Sequence, residues 1–432
     1  MKIPYKNRSI LLFAFLLAIF SLQVNAQGLG AKEKYEIEIQ GTQKKAISIA
    51  IVPFASAQQL PFSIHEIVGN DLFLSGKFEP IASNRFLALP SREEEVQYRD
   101  WLTIGADFLA IGSVVPVDGQ NFQVTILLFD VAQQRRVGGF RYNMSSTGVR
   151  SVAHQISNYI YENRTGGAGV FTSKIAFIKR SGKQSLLQVA DWDGHGAQTV
   201  VTSAEPILSP EWSPDGSKIA FATIQKGRSQ IKMIDLASGG ISTVVASSRG
   251  FNSAPSWSPD GSKLAFASSR SGNSDVYILD LATKNTRQLT KHWAIDTEPS
   301  WSANGSSVIF TSGRSGRANI YEVNAQGGEA RRLTFTGKEN GDADVSPDNQ
   351  TVAVVRDGGI ALLERGGQLV RTLYASGFDE SPSFSANGDM VLFGIKQGYN
   401  GSLVVSSANG RAKQTLSALS GDVRDAVWSP SR

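Results

Sequence analysis

The chain contains no cysteine among its 432 residues, and only four histidines and four methionines. The first absence removes disulfides, cysteine-ligated metal centres and thiol catalysis together. The scarcity of histidine leaves His65, His154, His195 and His292 as scattered surface or locally bonded side chains, with no pair at metal-ligand spacing. No Gly-x-Ser-x-Gly elbow and no phosphate loop occurs, so an enzyme built on this chain has only carboxylates to work with. Net charge is also small. The formal value of +5 includes Lys2, Lys6 and Arg8 at the extreme N-terminus, and without them 43 basic residues fall to 40 against 38 acidic ones. A remainder of +2 makes a poor nucleic-acid ligand, which needs a concentrated basic face.

Those three cations precede the apolar run Ile10–Phe20, followed by Val24-Asn25-Ala26. Eleven apolar residues are too few for a bilayer span of about 20 and fit a secretory signal peptide cleaved after Ala26. Residues 1–26 are therefore expected to be the leader and 27–38 a mobile tail without core periodicity.

From 39 to 165 the pattern alternates between strands and helices. Ala46–Phe54 reads as a buried strand, Ile64–Phe78 as a helix ending near Gly76, and Ser91 as the cap of a second helix opened by Glu93 and Glu94. Three strands (108–117, 122–131, 137–144) and a helix over 149–161 complete a small α/β domain with a mixed sheet. Thr165-Gly-Gly-Ala-Gly169 looks like a hinge.

The remainder, 170–432, repeats. Trp212-Ser-Pro-Asp-Gly216 recurs at Trp257 and, as WSANG, at Trp301, then as VSPDN at Val345, FSANG at Phe384 and WSPS at Trp428, with spacings of 45, 44, 44, 39 and 44. Each of the first five is followed by three more β-rich runs, which makes four short strands per unit and describes propeller blades. The first unit lacks its leading strand and the last phrase, Val423–Trp428, is a lone strand, so the two complete one blade and close a ring of six. The repeated Asp, replaced by Asn in two copies, is turn chemistry rather than catalysis, and the Trp is a plate for packing between blades.

Acid gathers in the loops that enter the first strand of successive blades: Glu205, Asp296 and Glu298, Asp342 and Asp344, Asp379 and Glu380, Asp422 and Asp425. Five of the six blades thus put carboxylates on one mouth of the central channel, which suits a basic or polar partner surface or a cation.

Together with the leader and the α/β domain, the segments Ile51-Val-Pro-Phe54, Asn252-Ser-Ala-Pro255, Thr297-Glu-Pro299, Asp342-Ala-Asp-Val345 and Asp379-Glu-Ser-Pro382 make the chain resemble the TolB family of the periplasmic Tol–Pal envelope system. The resemblance covers Gln27 to Arg432. It implies a non-enzymatic adaptor without cofactor or metal, supporting outer-membrane integrity and envelope constriction during division. It further implies that the mouth binds the peptidoglycan-associated lipoprotein Pal through Ala254, Thr297 and Glu298, with Asp344, Asp379 and Glu380 beside them. The tail (Gln27, Gly28, Leu29, Lys32, Lys34), longer here than the family pattern, would contact TolA. The competing class is a secreted propeller hydrolase of lactonase or glycosidase type with carboxylates in the channel, which leaves the N-terminal domain and tail unexplained. A third reading, a sugar-binding lectin, is set aside because these loops lack aromatic platforms.

Overall fold

The computed structural model describes residues 45–246, 250–375, 380–397 and 400–430. The segments expected as signal peptide and tail lie outside those residues, as does Asp379. Among the described residues, no helix is long and apolar enough to cross a membrane.

The apolar run predicted as a buried strand forms Ile47–Ile51, the second position of a mixed sheet. It pairs parallel with Phe78–Pro80 on one side and with Phe108–Asp118 on the other. Asn121–Asp130 and Arg135–Ser145 extend the sheet antiparallel. Alternation along the central strand serves two cores: Ile49 and Ile51 face the helices Ile64–Leu74 and Val149–Thr165, and Ala50 and Val52 face Trp101 and Phe129.

The helix expected to open at Ser91 forms differently. Ser91 and Arg92 donate their backbone N–H groups to the Glu95 carboxylate, which closes a single 3₁₀ turn, Glu93–Glu95. The α-helix begins only at Tyr98 and ends at Thr103. The three consecutive acids favour a helix start, and one of them instead folds back to satisfy the turn.

Residues 174–428 form the expected propeller of six four-stranded sheets. Lys174–Ser181, Gln184–Asp191 and Gln198–Ser203 make blade 1, which the last strand, Asp422–Trp428, completes as its innermost member. The pairing is antiparallel, from Asp422 opposite Arg180 to Trp428 opposite Ile175. Inner strands of blades 2 to 6 are Ile207–Trp212, Asn252–Trp257, Asp296–Trp301, Asn340–Val345 and Glu380–Phe384. The repeated turn has the role its composition suggests. Asp260 Oδ1 accepts from the Ser258 hydroxyl at 2.6 Å and the Ser262 N–H at 3.0 Å, and Asn304 takes the same two positions in blade 4. Tryptophans bridge blades as well as packing between them: Trp301 Nε1 donates to Ser256 O at 3.2 Å, and Trp212 Nε1 to Val427 O at 3.3 Å.

The two parts share one hydrophobic core, in which Ile160 and Tyr161 of the long helix join Phe171, Trp192 and Trp428 of the propeller. Polar contacts fix the same seam. Asn409 Nδ2 donates to Gly76 O at 2.8 Å, and the Tyr161 hydroxyl donates to Asp389. The glycine-rich connector, expected as a hinge, is pinned. Gly169 N–H donates to Glu162 Oε1 (3.1 Å), Phe171 N–H to Asn158 Oδ1 (2.8 Å), and Asn387 Nδ2 to Ala168 O (3.1 Å). A Cβ on Gly169 would fall 2.4 Å from Asn158 Oδ1, so glycine is needed there for close approach rather than for freedom of movement.

Candidate functional site: an acidic channel on the propeller axis

Every inner strand carries a bulge at the same place. The ladder skips between Leu208 and Glu211 in blade 2, between Thr297 and Ser300 in blade 4, and at the matching positions of the other four. The residue at each bulge has a left-handed backbone: Ser209, Ala254, Glu298, Asp342, Ser381 and Asp425 all lie at φ between 46° and 52°. Four of the six precede proline, which ordinarily holds its predecessor extended, so the sequence points to extended backbone at Glu298 and the structure departs from it. A left-handed non-glycine residue is costly, and six copies around one axis mark the place where the ring needs an exceptional geometry.

That geometry links blade to blade. Asp342 N–H donates to Glu298 Oε2 of the preceding blade at 2.9 Å, Ser381 N–H to Asp342 Oδ2 at 2.9 Å, and Ser209 N–H to Asp425 Oδ2 at 3.3 Å. Thr311 adds a hydroxyl donor to Glu298 at 2.8 Å. Wherever an acid occupies a bulge, it therefore holds the next bulge in register as well as facing the axis.

Side chains at the bulge and two residues beyond it line a cavity of about 790 Å³ running along the axis. Six inner-strand acids, Glu211, Glu298, Asp342, Asp344, Glu380 and Asp425, contribute carboxylates to its wall, and Glu339 and Asp357 line it from outside those strands. Among the described residues none of the six is in an ion pair; the Asp422–Arg424 pair stands beside them at the rim. The channel admits water, so these side chains retain some exposure, but protein surrounds them and desolvation governs their protonation. Burial, and then the nearby charge of Glu298, pushes the Asp342 carboxyl up to about 8. Burial raises Asp344 to about 6 against the hydrogen bond from Phe384 N–H (2.7 Å). Glu211 rises well above the carboxylate range through burial and then the repulsion of Asp344. Asp425 is raised by burial, and Glu380 by burial and by Asp425, with Arg180 and Arg424 opposing both.

The expected site residues separate into groups. Ala254, Glu298, Asp344 and Glu380 line the channel, whereas Thr297 stands one position before the bulge, paired with Thr311. Asp296, two residues from Glu298, is fully buried and serves the fold, accepting from Arg314 Nη2 at 2.7 Å and Ser312 Oγ at 2.6 Å. Glu205 is exposed and absent from the wall. Glu211 was missed. Aligning the repeats would have found it, because it stands where blades 3, 4 and 6 have Ser256, Ser300 and Ser383 and blade 5 has Asp344.

His154, expected as an ordinary surface or locally bonded histidine, instead lies at the seam between helix and propeller and is 2% exposed. Its Nδ1 is 2.7 Å from Asp71 Oδ2 and its Nε2 is 3.4 Å from Asp193 Oδ2, while Arg150 also contacts Asp193. Burial opposes its charge, yet the two carboxylates win and raise it to about 10. Asp193, against its own burial, is drawn down to about 2 by His154 and then Arg150. Asp191 also lies within metal-ligand reach of His154 and Asp193, but Lys174 already pairs with it.

Fold and site together define a class: a closed six-bladed propeller with an unneutralised acidic channel, joined to a small α/β domain through a buried charged seam. The comparisons agree over nearly the whole chain. Family models described as the TolB amino-terminal domain and the TolB beta propeller domain match residues 35–137 and 161–432. The Tol-Pal system protein TolB of Xanthomonas euvesicatoria pv. vesicatoria (strain 85-10) is 43% identical over 431 residues, 97% of this chain and 98% of that protein. Its counterpart in Xanthomonas oryzae pv. oryzae (strain KACC10331 / KXO85) shows the same identity and coverage, 43% over 97% and 98%. The crystal structure of TolB from Acinetobacter baumannii superposes with a TM-score of 0.81 at 34% identity, over 90% of this chain and 98% of that one. The chain belongs to the TolB family.

Proposed function

We propose that this chain is a periplasmic, non-enzymatic adaptor of the Tol–Pal envelope system that receives the peptidoglycan-associated lipoprotein Pal at the mouth of the acidic channel. The observation that carries this reading is the set of six inner-strand carboxylates that line the channel and, among the described residues, have no ion-pair partner, whereas Asp193 at the seam and Asp296 in the core are each paired with arginine. A partner that brings a lysine or arginine to the mouth relieves the mutual repulsion and gains charge-assisted hydrogen bonds. Ala254, Thr297, Glu298, Asp344, Asp379 and Glu380 are the proposed contact set. In this reading the carboxylates bind and do not turn over substrate, and the tail Gln27, Gly28, Leu29, Lys32 and Lys34 contacts TolA. Outer-membrane integrity and constriction during division follow from coupling the two partners.

Titration of the soluble domain of Pal tests the mouth. Glu298→Gln keeps an acceptor for Asp342 N–H and removes the charge, and we expect it to weaken binding about ten-fold. Deleting residues 27–34 should abolish TolA binding, leave Pal binding intact and leave the melting temperature unchanged. Unaltered Pal affinity in Glu298→Gln contradicts the assignment of the mouth.

A further inference from the structure

The channel explains charge at the mouth and leaves one other feature there unexplained. Among the described residues, most other large exposed apolar side chains belong to the α/β domain, and exposed apolar residues are by themselves ordinary. Phe251, Trp293, Ile295 and Phe335, however, all lie in the loops that lead into the inner strands of three consecutive blades, 3, 4 and 5, so the expectation that these loops lack aromatic platforms does not hold. Trp293 is 78% exposed, Phe335 70% and Ile295 60%. Ile295 stands three residues before Glu298 and Phe335 seven before Asp342, each ahead of the inner strand that carries the acid, and none of these side chains lines the channel itself.

The loop carrying Trp293 is fastened on both sides of the indole. Asn273 Nδ2 donates to His292 O at 2.8 Å and to Ala294 O at 2.7 Å. His292 N–H donates to Asp275 Oδ1 at 3.1 Å, and Ala294 N–H to His292 Nδ1 at 3.0 Å. Gly313 N–H then ties Ile295 O to the neighbouring strand at 3.1 Å. Around Phe335, Ile320 N–H donates to Thr334 Oγ1 at 2.9 Å and Asn340 Nδ2 to Thr336 O at 3.0 Å, with the Arg332 guanidinium 5.1 Å from the ring centre. The backbone is thus ordered while the large apolar side chains stand in water. Beyond the contacts of Trp293 with the His292 ring and of Phe335 with Arg332, fold stability gains little from that arrangement. Rigid, exposed aromatics beside a charged cleft have the composition of a binding hot spot whose ordering cost is met before the partner arrives.

We propose that Trp293, Ile295 and Phe335 form an apolar ledge that grips the partner docked at the channel mouth. The partner segment it fits is a protein surface with a lysine or arginine aimed into the channel and apolar side chains immediately beside it, covering the ledge. Charge decides between this occupant and a lipid surface: an acidic mouth next to the ledge attracts a basic protein segment and repels an anionic bilayer. The inference rests on the reading of the mouth as a docking site and adds a second, separable element to it.

The test uses the full mature chain and three variants, Trp293→Ala, Trp293→Phe and Glu298→Gln, titrated with the soluble domain of Pal, together with vesicles containing phosphatidylglycerol. We expect Trp293→Ala to bind at least about ten-fold more weakly at an unchanged melting temperature, Trp293→Phe to recover most of the affinity, and no variant to bind vesicles. If Trp293→Ala binds as wild type while Glu298→Gln is weakened, the ledge is refuted and the acidic mouth stands. If both bind as wild type, or the wild type does not bind the lipoprotein, mouth and ledge fall together. Vesicle binding by the wild type that Trp293→Ala removes makes the ledge a membrane contact and overturns the proposal.

Discussion

Asp193 at the seam and Asp344 in the channel are both carboxylates withdrawn from bulk water, and their surroundings treat them in opposite ways. Asp193 has His154 and Arg150 against it and is held near 2. Asp344 has only the backbone N–H groups of Phe384 and Val345 to oppose its burial, with another acid, Glu211, near it, and rises to about 6. Desolvation acts on both, so the difference is the supply of cations. Where two parts of the chain must stay together, the sequence provides histidine and arginine on the facing helix. Along the axis it provides serine, alanine and further acid. A protein gains no stability from repelling carboxylates, so the channel is the region whose design refers to something outside the molecule.

Substitutions should therefore have opposite signs in the two regions. The largest effect is expected at the seam. His154→Ala leaves Asp71 and part of Asp193 buried without a counter-charge and should cost about 3–5 kcal/mol, read as a lower unfolding midpoint. Its pH dependence follows from the raised value. The contribution of His154 is complete below its ordinary 6.5 and is lost as pH climbs through about 10. Asp193 contributes above its ordinary 3.8 and loses that contribution as pH falls toward about 2.

In the channel the sign reverses. Asp342 holds its proton to about 8, so the folded state binds more protons than the unfolded one, and stability declines as pH rises from about 4 to about 8. Asp342→Asn should remove that decline. We expect a gain on the order of 1–3 kcal/mol at pH 8 and almost none at pH 4, by denaturant unfolding at both values. Loss of stability at pH 8 would mean that the Ser381 contact outweighs the charge. A smaller effect is expected at the turns. Asp260→Ala removes the acceptor of the Ser258 hydroxyl and of the Ser262 N–H and hydroxyl at an exposed turn and should cost about 1 kcal/mol without changing affinity for Pal.

The sequence spelled out the ring more plainly than the wall of its channel. Six turn phrases at near-equal spacing, and a lone strand at one end matching a missing one at the other, made the blades and their closure readable. Inner-strand side chains are harder, because a bulge reverses the facing of everything beyond it. Asp296 and Glu298 read as equivalent acids of one loop, yet the first is locked to Arg314 and the second faces the axis. The proline rule gave Glu298 the wrong backbone, since inter-blade bonding at the bulge overrides the local preference. His154 gave no local signal either: its partners stand 83 and 39 positions away in sequence, on another helix and on a propeller turn.

Whether the channel waits for a partner's positive charge can be read by counting protons during docking. Calorimetric titration of Pal at pH 7, in two buffers of different ionisation enthalpy, reports the protons exchanged per complex. A cation arriving beside Asp342 lowers a carboxyl that sits at about 8, so release of about half to one proton is expected, abolished in Asp342→Asn. Binding with no proton release, unchanged by Asp342→Asn, would contradict it.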